Sequence, residues 1–521
     1  MDKIKILWVD DEIEMLKPHI MFLEQKGYLF DTINNGRDAL DMIEKNSYDV
    51  VFLDENMPGI SGLETLTVIK NIAPNLPIVM ITKSEEERVM EDAIGGSIAD
   101  YLIKPVNPLQ ILMALKKIID AQSLISNKTT SDYQQEFRQI GMEINGRLSS
   151  EEWMDIYKRL VNWELRLEKS DDESMHDILR LQKEEANTVF CKYIQNSYVD
   201  WLNGSNTDRP IFSHTVLKEK LFPLLNNSGN SKKPIFLILI DNLRFDQWKA
   251  IAPLLERFYR VKKEEMYYSI LPTTTQYARN SLFAGLMPSE IERKYPQYWV
   301  SENEEGGKNN YESELLGTLL KRFGINIRHS YTKVLNLDAG KKLADNITNL
   351  FTNKLNVIVY NFVDMLSHAR TEMEIIRELA NDEKAYRSLT TSWLEHSPLF
   401  DILKTLSEHG VDVVITTDHG SVRVMKPVKI IGDREASVNL RYKTGKNLNY
   451  NVKEVFEVRD PGKIFLPKNN VTSSFIFSKN NDFFAYPNNY NYYVKYYENT
   501  FQHGGVSMEE VMIPFITLEP K

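Results

Sequence analysis

Short apolar runs alternate with amphipathic stretches over the first 120 residues. Runs at 4–9, 49–53 and 78–82 and the segment YLIK ending at Lys104 have strand length and strand composition. Between and after them, 12–26, 37–46, 62–72, 85–94 and 108–122 carry helical spacing. Alternation of apolar strands with helices predicts an α/β unit, a doubly wound parallel sheet covered on both faces. From 133 to 201 the pattern turns wholly helical, with Trp153, Ile156, Leu160, Trp163 and Leu167 at three- and four-residue steps. This predicts an α-helical middle, a bundle or dimerisation element, entered through a polar hinge at 123–131. Turn formers at 202–232 mark entry to a third region. There PIFLILID, NVIVYNFVD and VDVVITTD each read as a buried strand running into a carboxylate.

Those carboxylates change the picture, because ligands of open α/β sheets bind at the carboxyl ends of the strands. In the first region Asp10, Asp11 and Asp54 cluster there, suited to a hard cation such as Mg²⁺. Asp54 is the candidate phosphoacceptor. Lys104 is placed to pair with phosphate oxygens, and the Thr82 hydroxyl to donate to them. In the third region Asp241, Asp364 and Asp418 end the strands, with His368 four residues after Asp364 and His419 beside Asp418. LPTTTQYAR (271–279) and QHGG (502–505) add hydroxyls and His503. Burying a carboxylate without a partner is costly. An Asp/His set without cysteine suits Zn²⁺, with Mn²⁺ as the alternative, and is large enough for two ions.

Composition narrows the classes. The 521 residues predict three domains at about 1–122, 123–205 and 206–521. A net charge of −10 disfavours a DNA-coating surface, and no helix-turn-helix or winged-helix pattern occurs, so no DNA-binding domain is expected. The single Cys191 excludes an intramolecular disulfide and reads as a buried or neutral thiol of a reducing compartment. No signal peptide and no apolar stretch of about 18 residues is present, so a cytoplasmic protein without a membrane span is expected. His176, His214, His329, His396 and His409 have no partners at ligand spacing and read as structural, surface or helix-cap residues. The tyrosine-rich stretch before His503 reads either as strands and core or as a stacking surface for nucleotide bases.

Residues 1–122 resemble the CheY-like receiver domains of response regulators, with DENMPGISG (54–62) as the phosphoacceptor loop. That resemblance implies that the Asn56 carbonyl completes the Mg²⁺ site and that Tyr101 is the switch aromatic. The third region is similar to the alkaline phosphatase superfamily, an αβα sandwich, in its phosphodiesterase and PglZ branches. PTTTQYARNSLFAGLMP (272–288) aligns with the diesterase nucleophile segment and puts Thr275 in the nucleophile position, with Thr273 as the alternative. The resemblance implies one metal held by Asp241, Thr275, Asp418 and His419 and a second by Asp364, His368 and His503. The residues that follow the nucleophile in that branch are replaced by Tyr277, Ala278 and Arg279, so substrate specificity is not carried over. Arg279 reads as a phosphate contact or a structural arginine. Cys191, far upstream, disfavours a sulfatase.

The full order resembles the PorX-type response regulators. That resemblance implies a sensor histidine kinase partner and a role in regulating type IX secretion, while the residues themselves, with the diesterase-like segment, support an Asp54 switch that controls a two-zinc phosphodiesterase acting on nucleotide or oligonucleotide phosphodiesters through phosphorylation-promoted homodimerisation. The competing reading is a signalling adaptor whose phosphatase-like domain mainly binds a sigma factor or a secretion component.

Overall fold

The computed structural model describes residues 4–83, 98–106, 108–168, 173–205, 207–227, 233–302, 304, 306–380, 382–432, 437–468 and 473–521. The chain divides into two compact units, Met1–Asp132 and Tyr133–Lys521. The helix expected at 85–94 lies outside the described residues.

In the first unit β1 (Lys5–Val9), β2 (Leu29–Ile33), β3 (Val50–Asp54), β4 (Ile78–Thr82) and β5 (Asp100–Ile103) form a parallel sheet of order β2-β1-β3-β4-β5. Along β1, Ile6 and Trp8 enter one apolar cluster and Leu7 and Val9 the other, on the opposite face. A strand buried on both sides must be apolar at every position, which is why its sequence is an unbroken run. β2 was not among the expected strands. It is an edge strand, only half-buried, and LFDTI carries no continuous apolar signal. Helices Lys17–Glu24, Gly36–Lys45 and Gly62–Ile72 fall where the periodicity placed them.

The expected hinge at 123–131 is instead part of one helix, Pro108–Ile144, and the boundary between the two units falls inside it. Ser, Thr and Asn made the stretch look like a linker, but it contains no Pro or Gly, so nothing in it breaks a helix.

In the second unit the helices Ser150–Leu167 and Glu173–Leu202 come first. The former starts on a capping box, Ser149 Oγ accepting from Glu152 N while the Glu152 carboxylate accepts from Ser149 N. It buries Trp153, Ile156, Leu160, Trp163 and Leu167, as the periodicity predicted. These helices share one core with a six-stranded sheet: Trp153 packs edge-on to Phe190 at 5.4 Å, and Phe190 to Tyr268 of the sheet at 6.1 Å.

The sheet comprises β6 (Ile235–Ile240), β7 (Tyr259–Tyr268), β8 (His329–Val334), β9 (Leu355–Tyr360), β10 (Asp412–Thr416) and the C-terminal strand Met512–Pro520. Its order is β7, C-terminal strand, β10, β6, β9, β8. β10, β6, β9 and β8 are parallel, and the C-terminal strand is antiparallel to both neighbours. Met512 therefore lies at the edge where the parallel strands end.

Residues between Lys426 and Tyr497 build small separate sheets and the helix Tyr490–Tyr497. Tyr442 lies in a strand and in the core, whereas the five tyrosines of 490–497 are helical, with Tyr490 and Tyr497 packed at the rim of a small apolar cluster. Tyr492 stacks on Tyr496 and Tyr493 on Tyr497, each pair at 6.1 Å, one helical turn apart, and no residue of the helix is buried. Among the described residues, no helix is long and apolar enough to cross a membrane. His396 and His409 occupy helix C-caps, bonding through Nδ1 to the carbonyls of Ser392 and Thr405.

Cys191 is buried, donates to the Val506 carbonyl at 3.1 Å and accepts from Asn480 N. Burial pushes its thiol up to about 12, so it stays protonated at neutral pH. Native protein at pH 8 is expected to resist a disulfide-exchange reagent and to react fully once denatured; rapid native labelling would contradict this packing.

Candidate active site

In the first unit the strand register brings the polar ends together. Val9 pairs with Leu53, Asp54 with Ile81 and Thr82 with Ile103, so Asp10, Asp54, Thr82 and Lys104 sit along one sheet edge. Lys104 Nζ lies 3.0 Å from Asp10 Oδ2 and 3.0 Å from Asp54 Oδ1. Carboxylate oxygens of Asp10, Asp11 and Asp54 fall within 4.8 Å of one another. Among the described residues, and apart from the Lys104 ammonium, neither Asp54 oxygen has a hydrogen-bond donor, although both are buried. Burial pushes the Asp54 carboxyl up, Lys104 opposes this, and Asp10 and Asp11 add to it. Three carboxylates against one ammonium leave room for a divalent cation, and an oxygen-only set suits Mg²⁺. Asn56 follows on the exposed loop, and Tyr101 is half-buried on β5.

In the second unit Asp241 directly follows β6, Asp418 and His419 follow β10, and Asp364 lies in the first turn of helix Phe362–Glu372 after β9. Two clusters result: Asp241, Asp418 and His419, all buried, and Asp364, His368 and His503, closer to solvent. His503 Nε2 and His368 Nε2 each stand 3.5 Å from an Asp364 oxygen. The clusters adjoin: the His419 and His503 rings stack at 4.3 Å, and Asn242 Nδ2 reaches Asp364 Oδ1 at 3.4 Å.

Main-chain carbonyls orient the imidazoles. His419 Nδ1 meets the Gly420 carbonyl at 3.2 Å and His503 Nδ1 the Thr273 carbonyl at 3.3 Å. A proton held at Nδ1 leaves each Nε2 lone pair free as a ligand. Burial, and then the neighbouring His503, push His419 down to about 3, so its ring is neutral at physiological pH. Burial pushes Asp241 up to about 7 against the pull of Arg279, with Asp418 and Asp364 adding to the rise. Burial also opposes ionisation of Asp364, but hydrogen bonds from His368 and His503 hold its carboxyl well below the usual range.

The three consecutive threonines separate by role. Thr273 Oγ1 donates to the Gly505 carbonyl at 3.0 Å and accepts from Gly504 N at 3.0 Å. Thr274 occupies the N-cap position of the helical segment that Thr275 begins, its carbonyl accepting from Tyr277 N and Ala278 N, and its buried Oγ1 has no hydrogen-bond partner among the described residues. Thr275 Oγ1 lies 3.2 Å from His419 Nε2 and 3.5 Å from Asp241 Oδ1. It starts two consecutive helical segments, Thr275–Arg279 and Asn280–Ala284, whose first N–H groups favour negative charge.

The donor set fits divalent ions. Three carboxylates and three imidazoles converge without a thiol, and each histidine presents Nε2 to an aspartate. The sequence did not mark Asn242, held at φ 63° beside Asp241, or the buried Glu312, which pairs with Arg279. Glu312 lies in an ordinary amphipathic helix, and its partner is 33 residues away, so no local pattern points to it. Arg279, open between two readings in the sequence, faces carboxylates.

The loop carrying His503 depends on Gly504, at φ +118°, where an added Cβ would meet Asn439 Oδ1 and Tyr442 Cδ1, both at 2.8 Å. Gly504→Ala is expected to cost about 1–3 kcal/mol in chemical denaturation. A variant as stable as wild type would show that this loop is not constrained as described.

Three family models match. The BREX system PglZ alkaline phosphatase-like domain covers residues 216–518, the PorX response regulator linker domain 123–202 and the response regulator receiver domain 6–116. Among curated proteins, the transcriptional regulatory protein CpxR homolog of Haemophilus influenzae is 35% identical over 129 residues, 24% of this chain and 55% of that protein. The transcriptional regulatory protein ResD of Bacillus subtilis is 31% identical over 125 residues, 24% of this chain and 52% of that one. The chain spans about half the length of these curated relatives. Among solved structures, the response regulator TrrA of Thermotoga maritima in complex with Mg²⁺-BeF is 32% identical, covers 22% of this chain and 98% of its own, and gives a TM-score of 0.21.

Proposed function

We propose, for a chain that belongs to the PglZ alkaline phosphatase-like family and is a response regulator of the PorX type, that phosphorylation of Asp54 controls a two-metal phosphoesterase built around Thr275. A two-component receiver implies a histidine kinase as phosphoryl donor. The observation that carries the enzymatic reading is the placement of Thr275 Oγ1 between Asp241 and His419, beside the Asp364, His368 and His503 cluster.

Asp241, Thr275, Asp418 and His419 would hold one ion and Asp364, His368 and His503 the other, with zinc as the first choice. When bound, such ions supply Lewis acidity and neutralise charge on a phosphoryl group. Thr275 Oγ1 gives up its proton to solvent and bonds to phosphorus as the P–O bond to the leaving alcohol breaks and that oxygen takes up a proton; water then adds to phosphorus, the Thr275 O–P bond breaks, and the monoester is released with the hydroxyl restored. The N–H groups at the start of the Thr275 helix favour the negative charge that develops there. Thr273, fully engaged with Gly504 and Gly505, holds the His503 loop against the nucleophile segment. His368, 60% exposed, marks the side from which substrate reaches the centre.

The diesterase-like nucleophile segment supports phosphodiesters, of nucleotides or oligonucleotides, as substrates. Type IX secretion is the process we assign from the PorX family, in the cytoplasm. Regulation has a structural route within the second unit. Helix Glu173–Leu202 contacts the segment after His503 twice, through Asn187 with Met508 N and the Glu509 carboxylate, and through Cys191 with Val506.

Metal-loaded protein is expected to hydrolyse bis-p-nitrophenyl phosphate, with Thr275→Ala and Asp364→Ala each lowering kcat by about a thousandfold or more. Equal turnover in all three would leave the adaptor reading, binding of a sigma factor or secretion component, in its place.

For the switch, beryllofluoride with Mg²⁺ is expected to raise the dimer fraction of wild type in sedimentation velocity and to leave Asp54→Asn unchanged. Identical wild-type profiles with and without the mimic would remove dimerisation from the proposal.

A further inference from the structure

Arg279 is fully buried, yet its guanidinium meets three carboxylates. One terminal nitrogen contacts Asp241 Oδ2, Nε lies 3.1 Å from Asp418 Oδ2, and Nη1 lies 3.5 Å from Glu312 Oε1. Nη1 also stands 3.5 Å from Asn361 Oδ1. Glu312 has cationic compensation of its own, since Lys333 Nζ sits 3.0 Å from its Oε2 and the Tyr331 hydroxyl donates to the same oxygen. The charge of Arg279 therefore falls mainly on Asp241 and Asp418, two members of one cluster.

The contact is also selective by atom. Arg279 takes Oδ2 of Asp241, while Oδ1 of the same carboxylate faces Thr275 and His419. The second cluster differs: among the described residues Asp364 has histidine and asparagine neighbours and no lysine or arginine ion pair. The two carboxylates of the first centre less its guanidinium leave the same net charge as the single carboxylate of the second, but only the first holds a permanent cation in contact with oxygens a metal ion would take, and it does so in a fully buried surrounding where like-charge repulsion is strong. That guanidinium cannot leave by deprotonation.

We propose that Arg279 is a positioning residue that acts as a built-in counter-ion: it holds Asp241 and Asp418 in place without metal and makes their centre the weaker of the two, so that the Asp364, His368 and His503 centre loads first. The inference rests on the two-centre reading given above and adds an order of filling and its cause. The metal-free site does not collapse by repulsion, because Arg279 offsets the aspartates that the ion would otherwise have to neutralise. Removing the guanidinium leaves those aspartates uncompensated, which weakens the empty protein and strengthens its hold on a cation.

The test is a zinc titration of metal-free, full-length protein by calorimetry, with excess Mg²⁺ present to occupy the receiver cluster, combined with thermal melting. Wild type is expected to bind in two steps separated by about tenfold or more in affinity, with His368→Ala removing the tighter step. In Arg279→Met the weaker step tightens by about tenfold, and the metal-free variant melts below wild type. Adding Asp241→Asn to Arg279→Met restores part of that loss. Arg279→Lys, which keeps the charge, retains the order of filling and guards against a methionine variant that fails to fold. Equal affinities in wild type, unchanged steps in Arg279→Met, or lost order in Arg279→Lys would each overturn the proposal. Absence of any zinc binding by wild type would instead overturn the two-centre reading. The metal-free melting of Arg279→Met with and without Asp241→Asn would then decide the counter-ion role by itself.

Discussion

Negative charge held out of water at the ends of parallel strands is the constraint on which this chain is built. Both units use it. Apolar strands deliver carboxylates to one sheet edge, and the surrounding fold must supply cations to match. In the first unit Lys104 bridges Asp10 and Asp54. In the second, Arg279 compensates Asp241 and Asp418, while imidazoles surround Asp364. Each arrangement is left short of positive charge, the condition under which a divalent cation would bind. The same electrostatic constraint therefore recurs on two separate sheets, around Asp54 and beside Thr275.

Much of this was legible because parallel strands are constrained on both faces. Ile6 to Val9 and Ile235 to Ile240 are buried throughout, so they appear as unbroken apolar runs with Asp10 and Asp241 next in sequence; Leu355 to Tyr360 is equally buried and is broken only by Asn356, whose side-chain amide donates to the Leu350 carbonyl and accepts from the Ser330 hydroxyl. β2 escaped notice because an edge strand needs no such run. The supposed hinge failed for a complementary reason: polar composition describes solvent contact, not the backbone, and a polar segment without Pro or Gly continues a helix that its neighbours have begun. The tyrosine ladder of 490–497 misled because tyrosine favours strands as a type, yet its i, i+4 pairs stack well on a helix.

The candidate site was legible to different depths. The aspartates and histidines announce themselves by type and by strand-end position. The choice between Thr275 and Thr273 rested on resemblance; in the structure Thr273 Oγ1 is engaged with Gly504 and Gly505, while Thr275 Oγ1 is the one beside His419 and Asp241. The supporting charges were not legible. Glu312 and Arg279 meet only in three dimensions, and the carbonyls that set the histidine tautomers are main-chain atoms that no side-chain pattern encodes.

The C-terminal strand Met512–Pro520 lies inside the sheet, between β7 and β10, although it is the last sheet strand in the sequence. Its position sets a timetable for the molecule during synthesis. The receiver sheet has all five of its strands once residue 103 has left the ribosome, whereas the second sheet has a gap at an inner position until residues 512–520 emerge. His503 comes only shortly before that strand, so the nascent chain carries Asp241, the first of the clustered residues, for roughly 260 codons before the last of them is made. The receiver sheet is thus complete in sequence long before the second sheet and the clusters at its edge can close.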